Sequence, residues 1–170
     1  MGNICRSPTA DAVFRHLVKA AGVDHLIHVD SAGTHAYHIG NPPDHRAQNT
    51  ALQRGYKMHD LRARAVQPND FEEFDYILAM DKENLSLLQQ RSPQQHLSKI
   101  QLFMQYSTQA DLMSRCPIRT SAGTKVLNWY WIWLRKPARV CWRIFALIKR
   151  KYSDENKSRC CLESRSVVNN

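Results

Sequence analysis

The chain has 170 residues and a net charge of +9, enough for one domain with a core and short for two. No apolar run is long enough to span a bilayer, and Arg6 and Asp11 interrupt the start where a secretory leader would be uncharged, which predicts a cytoplasmic protein. The positive charge does not make a general nucleic-acid or membrane binder, because residues 1–112 hold 11 Lys+Arg against 12 Asp+Glu while residues 113–170 hold 13 against 3.

All four Trp and four of the five Cys also fall in residues 113–170, so two compositions meet near Leu112. The cysteines lack both zinc-knuckle spacing and a secreted disulfide pattern, and no metal or cofactor is expected.

In chain order, Gly2-Asn3-Ile4-Cys5-Arg6-Ser7-Pro8 opens as a loop, with Ser7 expected as the helix cap and Pro8 as the first helical residue. Val13, Phe14, Leu17, Val18 and Ala21 recur at helical spacing, and Gly22 ends the run. Leu26-Ile27-His28-Val29 predicts a short strand closed by Asp30-Ser31-Ala32-Gly33-Thr34. Gly40-Asn41-Pro42-Pro43-Asp44 predicts a turn and a helix to about Arg54. Phe74-Asp75-Tyr76-Ile77-Leu78-Ala79-Met80 reads as a strand covered on both faces, Asp81 as the start of a helix through Leu88, and Ile100-Gln101-Leu102-Phe103 as a last strand. Strands alternating with helices predict a doubly wound parallel α/β sheet, with its ligand at the carboxyl ends of the strands.

A glycine-containing loop entering a helix presents backbone N–H groups and the positive end of a dipole to an anion, and Arg6 can grip two oxygens with its planar fork. The expected target is a phosphate or similar oxyanion. Together with Asp30-Ser31-Ala32-Gly33-Thr34, Gly40-Asn41-Pro42-Pro43-Asp44 and Phe74-Asp75-Tyr76-Ile77-Leu78-Ala79-Met80-Asp81, this loop resembles the low-molecular-weight protein tyrosine phosphatases, which share their fold with one class of arsenate reductases. The resemblance runs from Met1 to about Tyr106.

It implies a metal-free hydrolysis of phosphotyrosine-type phosphomonoesters, on proteins or small molecules, through a cysteinyl-phosphate and with an Asp-Pro-Tyr aspartate as general acid. It assigns phosphate binding to Gly2, Asn3, Ile4, Cys5, Arg6 and Ser7. Arg6 would hold the phosphoryl oxygens in ground and transition states, Ser7 would help stabilise the thiolate, and Asn3 would fix the loop. Counted back from Arg6, the nucleophile would precede Met1, and Cys5 matches the family's second loop cysteine, a redox-sensitive neighbour or an inert thiol. The family's apolar first strand, central in its sheet, would also precede Met1. The opening is accordingly read as an internal Met taken as a start. The sheet is expected to be incomplete, the chain poorly stable and catalysis absent.

Residues 113–170 are expected to be a basic, out-of-frame tail without a native fold. Joining the third base of each codon to the next two forces Leu-Val-Leu-Asp from Asn128 to Ile132 whatever codons are used. Residues 115–123 admit Val-Pro-Asp-Pro-Tyr-Phe-Gly-Gly in the same frame, so the general acid is expected to be lost, and Asp111 is expected to be an ordinary surface residue. Taken at face value, the aromatic and basic stretch from Trp129 instead suggests a membrane-associated or non-catalytic phosphate-binding protein. Arsenate reduction is the enzymatic alternative. His35 and His38 are expected to be solvent-exposed loop residues, Asp81 a helix cap, and Tyr76 part of the core. An N-terminal myristoyl site fits poorly, because Arg6 stands where Ser or Thr is wanted.

Overall fold

The computed structural model describes residues 2–106 and, beyond them, Ala146 alone. The junction near Leu112, Asp111, the Trp-rich stretch, the tail cysteines and the reading-frame inference therefore lie outside the described residues.

Helix α1 spans Arg6–Ala20. It starts two residues earlier than the Ser7 cap predicts: Cys5 is the N-cap, without a side-chain hydrogen bond, and Ser7 is already helical. Pro8 tolerates this because its absent N–H falls among the first four donors, which have no intrahelical acceptor anyway. At the other end Gly22 takes φ +68. Its N–H reaches Lys19 O, and Val23 N reaches Val18 O, the paired bonds of a Schellman stop. Helix α2, His45–Leu52, is capped by Asp44, whose carboxylate accepts from Arg46 N. A four-residue helix α3, Asp70–Glu73, went unpredicted because it lacks room for a hydrophobic period.

Strand β1 is Ile77–Ala79 and strand β2 is Ile100–Leu102, paired parallel with Ile77 opposite Ile100 and Ala79 opposite Leu102. Helix α4, Lys82–Arg91, connects them with a 3-10 turn at Gln94–Lys99, and a second 3-10 turn follows at Phe103–Tyr106. This parallel crossover, with helices around it, is the expected α/β architecture. The predicted strand at residues 26–29 does not form: Leu26 closes a turn through its N–H to Val23 O, and residues 27–29 join no ladder among the described residues. Only Gly33 bridges to Ala65 nearby. Apolar sequence makes a strand only when a neighbouring backbone is there to pair with it.

Two apolar clusters lie on the two faces of β1. Leu78 and Met80 pack with Val13, Ala51 and Phe103 on the α1 and α2 side. Ala79 and Ile77 pack with Phe71, Leu88 and Ile100 on the α3 and α4 side. Each fully buried aliphatic or aromatic side chain in them contributes about 2 kcal/mol.

Candidate active site

The carboxyl end of β1 leads through Met80 into Asp81, and Asp81 connects the strand to the loop. As the N-cap of α4, its Oδ1 accepts from Asn84 N at 2.8 Å. Its other oxygen accepts from Arg6 Nη1 at 2.7 Å, across 75 positions of sequence. With side chains only 15% and 13% exposed, the pair is largely sheltered, and a charge-assisted bond of this kind is worth about 1.5–3 kcal/mol. Burial works against the Asp81 charge, but the Asn84 N–H, Arg6 and the Asn84 amide outweigh it and hold the carboxyl below its usual range. Asp81 thus does more than the capping predicted for it.

The chain of contacts continues inward. Asn84, buried, donates its amide to Asp81 Oδ1, and its own Oδ1 accepts from Thr34 Oγ1 at 2.9 Å. Arg91, in the last turn of α4, donates to Thr34 O at 2.8 Å. Thr34, Asn84 and Asp81 together fix the guanidinium of Arg6 at the amino end of α1.

The loop is held from several sides. Asn3 adopts φ 57, a left-handed backbone that Asn tolerates better than most residues, and donates Nδ2 to Ser31 O at 2.8 Å. Ile4 O accepts from Asp44 N at 2.7 Å, which joins the loop to the cap of α2. Cys5 O accepts from Thr9 N and from Thr9 Oγ1. Gly2 lies against the His38 ring so closely that a Cβ there would stand 2.5 Å from His38 Cδ2. Ser7 is half-buried in the first turn of α1.

Of the six residues assigned from the sequence, Arg6 is the one whose side chain is held by a distant element, on Asp81 at the start of α4. His35 and His38 correct the expectation of solvent exposure. Both are half-buried, His35 because its ring stacks on Tyr37 at 5.2 Å and 11°, His38 because it covers Gly2. Tyr76 packs against the α1-side cluster, as core placement predicts.

Cys5 is 9% exposed, and burial, reinforced by Asp44, pushes its thiol up to about 11 despite the opposing pull of Arg46 and Arg6. A thiol so placed is protonated at neutral pH and a weak nucleophile.

A family model described as low molecular weight phosphotyrosine protein phosphatase matches residues 1–121. The chain belongs to the low molecular weight phosphotyrosine protein phosphatase family. It is 45% identical over 119 residues to a phosphatase of that name from Gallus gallus, covering 69% of this chain and 75% of the relative. Against a low molecular weight protein-tyrosine-phosphatase of Bacillus subtilis it is 40% identical over 112 residues, 66% of this chain and 72% of the relative. Among solved structures it is similar to a protein tyrosine phosphatase from Entamoeba histolytica, with TM-score 0.81, 32% identity, and coverage of 89% of this chain and 94% of that one. The phosphatase family is one of hydrolases, and its fold is the α/β fold described above. The family match continues to residue 121, past the Tyr106 limit of the sequence resemblance.

Proposed function

We propose that residues 2–7 form the phosphate cradle of this phosphatase-family chain, taking phosphotyrosine-type phosphomonoesters, with Arg6 as the group that holds the phosphoryl oxygens. The observation that carries this is the Asp81 anchor. It sets a guanidinium beside the first turn of a 15-residue helix, where the leading N–H groups have no intrahelical acceptor. Such preorganised donors stabilise charge that builds on transferring phosphoryl oxygens, provided a nucleophile stands in line.

A polypeptide of this sequence, expressed as given, binds phosphomonoesters without turning them over. Its one loop cysteine, Cys5, is buried and held protonated. Among the described residues it is also the only cysteine, so they supply no second thiol for arsenate reduction. Residues 1–112 form the phosphatase-like unit of this reading, and residues 113–170 an out-of-frame tail carrying no part of the site. The cytoplasm is the compartment proposed, and among the described residues no helix is long and apolar enough to cross a membrane.

The test pairs binding with turnover. Phosphate and phosphotyrosine raise the Tm of the 170-residue chain, Arg6→Ala removes that rise, and neither protein hydrolyses p-nitrophenyl phosphate. Hydrolysis abolished by Arg6→Ala would overturn the inactive reading, and a ligand-induced rise that survives Arg6→Ala would overturn the cradle. For the tail, the DNA decides: Val-Pro-Asp-Pro-Tyr one frame over from residue 115 supports the shifted frame, and its absence removes it.

A further inference from the structure

The support behind Arg6 does not stop at Asn84. It runs outward through Thr34 to the His35 ring, whose Nδ1 lies 3.1 Å from Thr34 Oγ1. Thr34 is buried and its backbone is held: Arg91 Nη1 donates to Thr34 O at 2.8 Å, and the preceding Gly33 N donates to Arg64 O at 2.8 Å. The hydroxyl oxygen is therefore fixed in place, and only the direction of its proton is open.

The donors and acceptors around it close that choice. The Asp81 carboxyl, held below its usual range, is charged at neutral pH and only accepts, so the Asn84 amide turns Nδ2 toward it. Asn84 Oδ1 then faces Thr34 Oγ1 at 2.9 Å, and the single hydroxyl proton lies between them, because lone pairs facing each other at that distance repel. Thr34 Oγ1 has only lone pairs left to offer His35, so His35 Nδ1 carries a hydrogen and donates it. Every bond from His35 to Asp81 runs in the same direction, and the series ends on the carboxylate that accepts from Arg6. The ring plane is set from its face: Tyr37, itself largely exposed, stacks on it at 5.2 Å and 11°.

We propose that His35 is a positioning residue for Arg6, held as the Nδ1–H tautomer and fixing, through Thr34 and Asn84, the orientation of the amide behind Asp81. A donor on the outer side of Thr34 Oγ1 keeps the hydroxyl proton turned inward to Asn84. Bonds that all run one way polarise one another, so each strengthens the next, and the carboxylate meets the guanidinium in one arrangement. The inference rests on the phosphate-cradle reading for what Arg6 grips, and on these hydrogen bonds alone for how Arg6 is held.

The test uses the full 170-residue chain. Nitrogen NMR of the labelled protein is expected to show neutral His35 protonated at Nδ1, and the Nε2–H form overturns the proposal. Two variants separate the donor from the ring: His35→Phe keeps an aromatic face for Tyr37 and removes the donor, whereas His35→Asn removes the ring and keeps a donor close to the place of Nδ1. His35→Phe is expected to shift the Arg6 guanidinium signals and to weaken binding of inorganic phosphate about threefold, part of the worth of one hydrogen bond, while His35→Asn restores both. Equal effects of the two variants, or Arg6 signals that neither moves, overturn the proposal, since the ring would then act by packing alone. Thr34→Val and Thr34→Ser repeat the comparison one bond nearer Arg6, with the serine restoring what the valine loses, and like behaviour of that pair overturns it too. Failure of the unsubstituted chain to bind phosphate strikes the cradle reading only, because the tautomer and the Arg6 signals are read without ligand.

Discussion

Ile100 lies in register with Ile77 on the paired side of β1 and is 5% exposed, whereas Ile27, across a cavity on the other side, is only half-buried. The residue type is the same and so is the strand between them. What differs is whether a backbone ladder brings the neighbour close enough to close the space. Ile77 and Leu78, in the middle of a parallel α/β layer, remain half-buried for the same reason. Among the described residues β1 is paired on one edge, and the stabilisation from its half-buried apolar side chains is correspondingly partial.

The largest break in this comparison comes from the finished side. Ile100→Ala removes a fully packed side chain between β1, Phe71 and Leu88 and is expected to cost about 2–5 kcal/mol, read from urea unfolding. A loss below 1 kcal/mol would show that the β2 side is no better packed than the side of Ile27.

Asp11 gives an effect of similar size with a pH signature. Burial pushes its carboxyl from 3.8 up to about 6, and the Arg15 ion pair offsets only part of that. A raised carboxyl favours the folded state only while it is protonated. The group is therefore neutral to stability below pH 4, and its cost develops as pH rises from about 4 through 6, reaching about 3 kcal/mol at neutral pH. Asp11→Asn is expected to stabilise the protein at pH 8 and to leave it unchanged at pH 3.5. Equal unfolding midpoints for the two proteins at pH 8 would remove Asp11 as a liability of the buried face of α1.

The smallest effect sharpens the contrast. Ile27→Ala should cost about 1 kcal/mol, since its half-buried side chain packs only at the margin of the α1-side cluster and leaves little cavity behind. A urea-unfolding loss as large as that of Ile100→Ala would show Ile27 to be packed as fully.

The features legible in the sequence were those with local causes. Asp44 and Asp81 cap α2 and α4 because a carboxylate can fold back on its own helix start, and Gly22 ends α1 because it alone takes the left-handed turn cheaply. The entry of the loop into α1 was legible for the same reason. The lack of a ladder at residues 26–29 among the described residues was not, because pairing depends on a backbone that the segment's own residues do not encode. Nor was the grip of Asp81 on Arg6: a capping aspartate has a sufficient local role, and nothing in a spacing of 75 residues announces the second one. His38 was misread as solvent-exposed since the space it fills is created by the missing side chain of Gly2.

That contact between Gly2 and His38 also couples the loop to the segment at residues 38–41. Residues 38–41 are tied to the strand-like segment at Ala63 by the Gly40 N–H and by the Asn41 carbonyl, so the backbone of the rim has little freedom to retreat. The imidazole ring is the one part able to give way. Any side chain added at position 2 would therefore be registered as a turn of the His38 ring, which makes that ring a built-in gauge of the loop's shape, readable by its NMR chemical shifts as an oxyanion enters or leaves.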